Sequence, residues 1–290
     1  MSRVKRGKTE RIVFGIVFII LFVYTLFILY HFFFALQLAT KDNSVEFSLH
    51  FSENKLATWS KNLNFGNFKE ALFSLEVNGN SYLMLTFNSL WFAVGSQILS
   101  LFFTSCTTYV VCKYSFVGRN FLYNLVIFTM LLPIIGALPS AYRIYKSINI
   151  INSPGILLTA CGGFGGNFLI LYAFYKGISW EYAEAAFIDG ANDLTVYLKI
   201  MMPMAMPAMS VLFITGFISS WNEYMNVSIF LPELPTLSYA LYVYESNMKY
   251  LANQPVYFAG VLIAAVPCLL LFVLFQNSIM QTVYLGGIKG

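Results

Sequence analysis

The chain has 290 residues, 58% of them hydrophobic, 18% aromatic and only 10% charged, with a mean hydropathy of +0.69. Soluble domains carry about 45–50% apolar and about 25% charged residues, so the composition excludes a soluble globular domain and points to a polytopic membrane protein. The net charge of +4 is modest, no basic domain accompanies it, and a nucleic-acid partner is not expected.

Arg3, Lys5, Arg6, Lys8 and Arg11 stand against a single acid, Glu10, ahead of the apolar run Ile12 to Leu36. That basic flank predicts a cytoplasmic N-terminus. The run exceeds the roughly 7–15 residues of a signal-peptide core. It is read as a first span of about 37 Å at about 1.5 Å per residue. Residues 37–81 mix both signs of charge and form an extracytoplasmic segment, expected to fold over the outer face with Trp59, Phe65 and Phe68 tucked down. Tyr82 to Val111 is a second span carrying Asn88, Ser89, Gln97 and Ser100, and Lys113 and Arg119 flank an inner hinge after it. Phe121 to Leu138 is a third, punctured by Pro133 and Pro139. An outer loop with Arg143 and Lys146 runs from Tyr142 to Pro154.

Ile156 to Ile178 is the fourth span, containing Gly162-Gly163-Phe164-Gly165-Gly166. No Lys-Ser/Thr pair follows, so this is not a phosphate loop. Gly162 and Gly166 stand in GxxxG register, which predicts close helix approach. The fifth span runs from Pro207 to Leu231 and the sixth from Tyr257 to Gln276, with an outer loop from Pro232 to Pro255. Residues 284–290 are a cytoplasmic tail. The expectation is an all-α protein of six spans with both ends inside, though the inner side holds only ten Lys/Arg against seven outside. Cys106, Cys112, Cys161 and Cys268 lie in or beside apolar runs and are read as buried thiols. His31 and His50 sit far from any matching cluster, and no metal or nucleophile constellation is present.

One polar stretch interrupts the grease. Residues 180–203 hold four of the thirteen acids, Glu181, Glu184, Asp189 and Asp193. The Glu/Ala-rich half reads as a short helix that Gly190 terminates. Asn192 or Asp193 caps a second helix, which Pro203 and Pro207 are expected to interrupt. Ala183, Ala185 and Ala186 give a slim face able to enter a groove, Glu184 a charged contact, and Asp189 a side chain able to bond its own turn. A hairpin too polar for lipid, between two spans, must face water or a protein. Farther on, Trp221-Asn222-Glu223-Tyr224 puts a carboxylate about 24 Å into the fifth span. An ionisable group at that depth faces a cavity or a partner. Aromatic faces beside amide and carboxylate suit sugar rings. An interfacial aromatic belt with a structural polar contact explains them equally well.

Several of these pieces resemble one family. Glu184-Ala185-Ala186, Asp189-Gly190-Ala191 and Met202-Pro203 are similar to the EAA loop of bacterial ABC importer permeases, with Met-Pro in place of the usual Leu-Pro. Asn88-Ser89-Leu90, Tyr114 to Arg119 and Trp221 to Tyr224 resemble motifs of its carbohydrate branch, in the same order. The closing Gly286-Gly287-Ile288-Lys289-Gly290 resembles the end of the six-span second permease subunit of maltose-like systems. The resemblance covers Tyr82 to Gly290 and reaches the earlier segment only in outline.

It implies a type I importer fold and alternating access in the bacterial cytoplasmic membrane. Residues 1–36 would be the basic arm and first helix, 37–81 the outer segment, and 82–283 the transmembrane domain with its coupling hairpin at 180–203. The implied partners are a second permease chain, two cytoplasmic ABC ATPase subunits and an extracytoplasmic solute-binding protein, beside membrane lipid. ATP and Mg would sit on the ATPase, since this chain has no nucleotide motif of its own. Glu184, Ala185, Ala186, Asp189 and Gly190 would couple to the ATPase, with Gly286, Gly287 and Lys289 near it. Asn88, Trp221, Asn222, Glu223 and Tyr224 are candidates for the path of a disaccharide, oligosaccharide or acidic glycan fragment. A secondary transporter or channel is the competing reading, although one deep carboxylate and no convincing repeat give it little support. A polytopic membrane enzyme ranks third.

Overall fold

A computed structural model of the chain describes residues 7–132, 136–247 and 253–287. Pro133, Lys249, Lys289 and the first basic residues, Arg3 to Arg6, lie outside the described residues. The helices are α1 (Lys8–Ala39), α2 (Ser44–Ser52), α3 (Gly66–Ser74), α4 (Tyr82–Lys113), α5 (Arg119–Leu131) and α6 (Ala137–Ser147). After a 3-10 helix at Pro154–Ala160 come α7 (Gly166–Gly177), α8 (Glu181–Ile188) and α9 (Asp193–Val196). A π turn at Tyr197–Met201 joins α9 to α10 (Met202–Trp221), followed by α11 (Met225–Phe230), α12 (Leu237–Asn247) and α13 (Gln254–Gly287). A two-residue antiparallel pair, β1 (Glu76–Val77) and β2 (Asn80–Ser81), is closed by Asn78 and Gly79, both at positive φ. That is the Asn-Gly hairpin turn whose twist suits the strands it joins.

The chain divides into two compact units, residues 1–75 with 243–263 and residues 76–242 with 264–290. In the first, α1 is apolar all round and carries exposed Ile, Phe and Leu along most of its length, as a helix solvated by lipid should. Residues past its end are tied down by polar groups. Buried Asn67 donates to the carbonyls of Ala39 and Lys41 at 2.8 Å each. Lys41 is fully buried and reaches His50 Nδ1 at 2.8 Å and the Thr58 carbonyl at 2.9 Å. Burial pulls its ammonium below the usual lysine range. The expected anchors are corrected here, because Trp59 and Phe65 are exposed and Asn67 does the anchoring.

In the second unit α4 is the axis. Its inward face is polar and small, with Asn88, Ser89, Ser96, Gln97, Thr104 and Ser105 all buried, while Leu83, Phe87, Ile98 and Phe103 point outward. Lipid is as apolar as leucine, so close packing and interhelical hydrogen bonds hold such helices together, each bond worth about 0.6 and at most about 1.7 kcal/mol. Gln97 Nε2 donates to Ser220 Oγ of α10 at 2.8 Å. Gly216 of α10 leaves space for the Gln97 carboxamide, whose Cδ would stand 2.6 Å from an added Cβ.

Four described helices are long and apolar enough to span, at Thr9–Ala39, Tyr82–Lys113, Asp193–Trp221 and Gln254–Gln276. Three expectations need correction. The third span is divided into α5 and α6, Pro139 lies in the first turn of α6, where its missing N–H costs nothing, and the expected outer loop at 142–147 is the rest of that helix. The fourth span is not one helix: residues 161–165 are non-helical between the 3-10 helix and α7. The close approach therefore falls on Gly163 rather than on a GxxxG face. Thr107 Oγ1 donates to the Gly163 carbonyl at 2.8 Å, and a Cβ on Gly163 would collide with the Thr107 side chain. Gly163→Ala should lower the stability of the chain by about 1–3 kcal/mol, read as a fall in the melting temperature of the purified protein. Thr107→Ala in the same chain should recover part of it.

The fifth span is the third correction. Pro203 and Pro207 do not end it; it runs unbroken from Asp193 to Trp221. The turn ahead of Pro203 is a π turn, in which the Met202 N–H reaches back to the Tyr197 carbonyl. This wider turn accommodates a ring that would clash with the carbonyl four residues earlier. At the end of the chain α13 continues to Gly287, so Tyr284 to Gly287 are helical rather than a separate tail.

Candidate functional site

The polar hairpin forms as its sequence demands. Helix α8 stops at Asp189, Gly190 takes φ +82°, and the Gly190 and Ala191 amides return to the carbonyls of Phe187 and Ala186 at 3.0 and 2.9 Å. These paired bonds make a Schellman stop, which needs a left-handed residue where Gly190 stands. Asn192, rather than Asp193, caps the next helix by accepting from the Thr195 amide at 2.8 Å. The Asp189 carboxylate is exposed and forms no hydrogen bond among the described residues; the turn is closed by backbone alone.

The alanine face points the other way from expectation. Ala183 and Ala186 are buried in the core shared by α4, α7 and α10, so they dock the hairpin onto its own chain. Glu184, Ala185, Asp189 and Gly190 are exposed. Beside them Ile188 is 86% exposed, Leu194 64% and Tyr182 53%. Glu181, Glu184 and Asp189 take part in no ion pair among the described residues. Apolar side chains this exposed, ringed by unpaired acids, are the composition of a protein-docking surface.

Hydroxyls bind the hairpin to the bundle, a feature the sequence reading missed. Tyr197 donates to Ser105 Oγ at 3.0 Å, and Ser105 meets the Tyr175 hydroxyl at 2.6 Å. Tyr114 donates to Asp193 Oδ1 at 2.6 Å and sets its ring edge-on against Trp180. Burial, and then that bond to Asp193, hold the Tyr114 hydroxyl well above its ordinary pKa, so it remains a donor. Lys113 Nζ reaches the Ile178 carbonyl just ahead of α8. These bonds tie the residues on either side of α8 to α4 and α7, while α8 itself is seated by the apolar packing of Ala183 and Ala186. Ser105 and Tyr109 lie four apart on α4, a spacing that hints at this face in the sequence.

The Trp221 to Tyr224 cluster is split by the structure. Trp221 is buried, stacks on Phe217 at 5.6 Å and donates to the Ala264 carbonyl at 3.1 Å. Helix α10 ends there, with Asn222 as its C-cap. Glu223 is therefore in a turn beyond the span and not within a helix. Its Oε1 accepts from the Asn226 amide at 2.9 Å, and it lines a cavity of about 320 Å³. Ser96 of α4, Thr159 of the 3-10 helix and Ser219 and Ser220 of α10 supply polar walls there, with the rings of Phe92 and Tyr145 beside them. Tyr224 turns outward and stacks on Tyr242 at 4.5 Å. Asn88 is buried, donating to the Pro235 carbonyl at 3.0 Å and accepting from the Trp91 indole at 3.3 Å. Of the five candidates, only Glu223 faces this cavity. Gly286 and Gly287 end α13.

The family described as "Binding-protein-dependent transport system inner membrane component" matches residues 107–279. The chain is 26% identical over 206 residues to the "Diacetylchitobiose uptake system permease protein NgcG" of Streptomyces coelicolor, covering 70% of this chain and 68% of that protein. It is 27% identical over 236 residues to the "Polygalacturonan/rhamnogalacturonan transport system permease protein YtcP" of Bacillus subtilis, covering 76% and 80%. Its fold is similar to a solved chain of a bacterial ABC transporter involved in the import of the acidic polysaccharide alginate. The TM-score is 0.75, with 20% identity over 94% of this chain and 98% of that one. With a match across more than half its length, the chain belongs to the family of binding-protein-dependent transport system inner membrane components, the membrane-embedded permeases of ABC importers, which are not themselves enzymes.

Proposed function

We propose that this chain is one of two permease subunits of an ATP-driven carbohydrate importer, and that residues 180–203 receive the force of ATP binding from a separate ATPase. The observation that carries this reading is the exposed face of α8, where Tyr182, Ala185 and Ile188 stand among Glu181, Glu184 and Asp189 with no partner in the described chain. Two ATPase subunits holding ATP and Mg would sit on the cytoplasmic side of the assembly, one of them against that face. An extracytoplasmic binding protein would deliver sugar from the other side, and a sister permease would complete the pore. The sugar-transport names of the relatives support a saccharide cargo. Six spans with both ends cytoplasmic follow if α5 with α6, and the 3-10 helix with α7, make the two broken crossings beside the four continuous ones. Residues 37–81 then stand outside, and the end of α13 returns toward the ATPase. A carrier that works without an ATPase would leave the acidic hairpin face without a purpose.

The test is a cysteine at Ile188 in the complete transporter reconstituted in vesicles. A short bifunctional reagent should link it to the ATPase subunit, and saccharide uptake should require ATP. Uptake that persists without the ATPase, or no cross-link at any step of the cycle, would sink the reading.

A further inference from the structure

The Glu223 cavity has a property that sorts its possible occupants. Among the described residues, Glu223 is the only formally charged side chain in its lining, which includes no lysine, arginine or histidine. The remaining polar atoms are neutral, supplied by Ser96, Tyr145, Thr159, Ser219, Ser220 and Asn226. Ser220 is already engaged by Gln97, and Glu223 Oε1 by the Asn226 amide. Oε2 of Glu223 has no hydrogen bond among the described residues, which leaves a carboxyl oxygen able to accept from hydroxyl or ammonium groups. At about 320 Å³ the space holds one or two sugar rings and not a long chain.

We infer that, granted the carbohydrate-permease reading above, this cavity is a saccharide subsite for neutral or amino-bearing rings and rejects uronates. A neutral ring gives its hydroxyls to Glu223 and the serines and its C–H faces to Phe92 and Tyr145. An ammonium meets the carboxylate as a counter-ion. A uronate brings a second carboxylate beside Glu223 with no cation in the described lining to share, so the two like charges repel. Discrimination here comes from a built-in repulsion as much as from attraction. The likeness to an alginate importer concerns the fold, and the cavity chemistry runs against an acidic cargo at this point of the path.

The complete transporter in lipid nanodiscs, without its binding protein, can be probed by saturation-transfer NMR with maltotriose, trigalacturonate and the glucosamine trimer. The neutral and cationic trimers should bind at least about tenfold more tightly than the uronate, a gap of one decade in Kd. Glu223→Gln should bring the uronate to within about twofold of the neutral trimer. Glu223→Lys should invert the order. Equal binding of trigalacturonate and maltotriose by the wild type, or an unchanged ratio in both variants, would overturn the inference. So would no binding by any trimer while the ATPase still copurifies, an outcome that leaves the permease reading standing. Loss of the ATPase from the wild-type complex strikes at that reading instead.

Discussion

Glu184→Lys should leave the chain folded and inserted yet reduce ATP-driven uptake by at least about tenfold. Glu184 is exposed on the side of α8 opposite Ala183 and Ala186, the pair that docks the hairpin. A surface exchange away from packed groups changes stability by no more than about 0.5 kcal/mol. Placing a cation where a partner surface complements an acid costs several kcal/mol of association, more than the roughly 1.4 kcal/mol that a tenfold loss requires. ATPase activity measured alongside uptake separates the two ways of failing. Full uptake and normally stimulated hydrolysis in the variant would remove Glu184 from the interface. Gly190→Val is the companion: nothing within 4 Å blocks a side chain, but φ +82° is left-handed, so strain of about 1–2 kcal/mol falls on the turn itself.

Trp221→Ala should fail earlier, at assembly. The ring is 4% exposed, stacked on Phe217, and its N–H satisfies the Ala264 carbonyl. Truncating a buried tryptophan costs about 3–5 kcal/mol, a large fraction of the stability of any domain. The variant should yield little intact complex on size exclusion, and what remains should melt at a lower temperature. Trp221→Phe keeps the stack and loses only the hydrogen bond, so it should assemble. An alanine variant that assembles normally while uptake falls would return Trp221 to the path of the cargo.

The contrast between these two residues marks what the sequence could disclose. Spans at Thr9–Ala39, Tyr82–Lys113 and Gln254–Gln276 were legible because hydropathy summed over a long helix is insensitive to detail. The end of α5 at Leu131 and the non-helical residues 161–165 were not, since they are backbone events that change no residue's polarity. For the same reason the π turn at Tyr197–Met201 was invisible, and the prolines were expected to end a helix that continues past them. Gly190 was legible because a left-handed stop nearly requires glycine. The orientation of Ala183 and Ala186 was not, because alanine suits a packed face and a docking face alike. Trp221 and Glu223 are two residues apart and were grouped by chemistry, but a helix end between them sends one into the core and the other into a cavity.

The polar inner face of α4 also sets the order in which the chain is made. Gln97 must leave the ribosome 123 residues before Ser220, the hydroxyl it finally donates to. At about 5–20 residues per second, that is roughly 6–25 s of synthesis during which its amide lies in or beside the bilayer unpaired. An 18-residue stretch of α4 has a mean hydropathy of only 1.3, against 3.1 for one in α1, so by itself α4 partitions weakly. A nascent chain stopped before α10 therefore holds a reluctant helix that has its bonds to Gly163 and α7 but none to α10. Quality-control proteases should meet such fragments far more often than the finished permease.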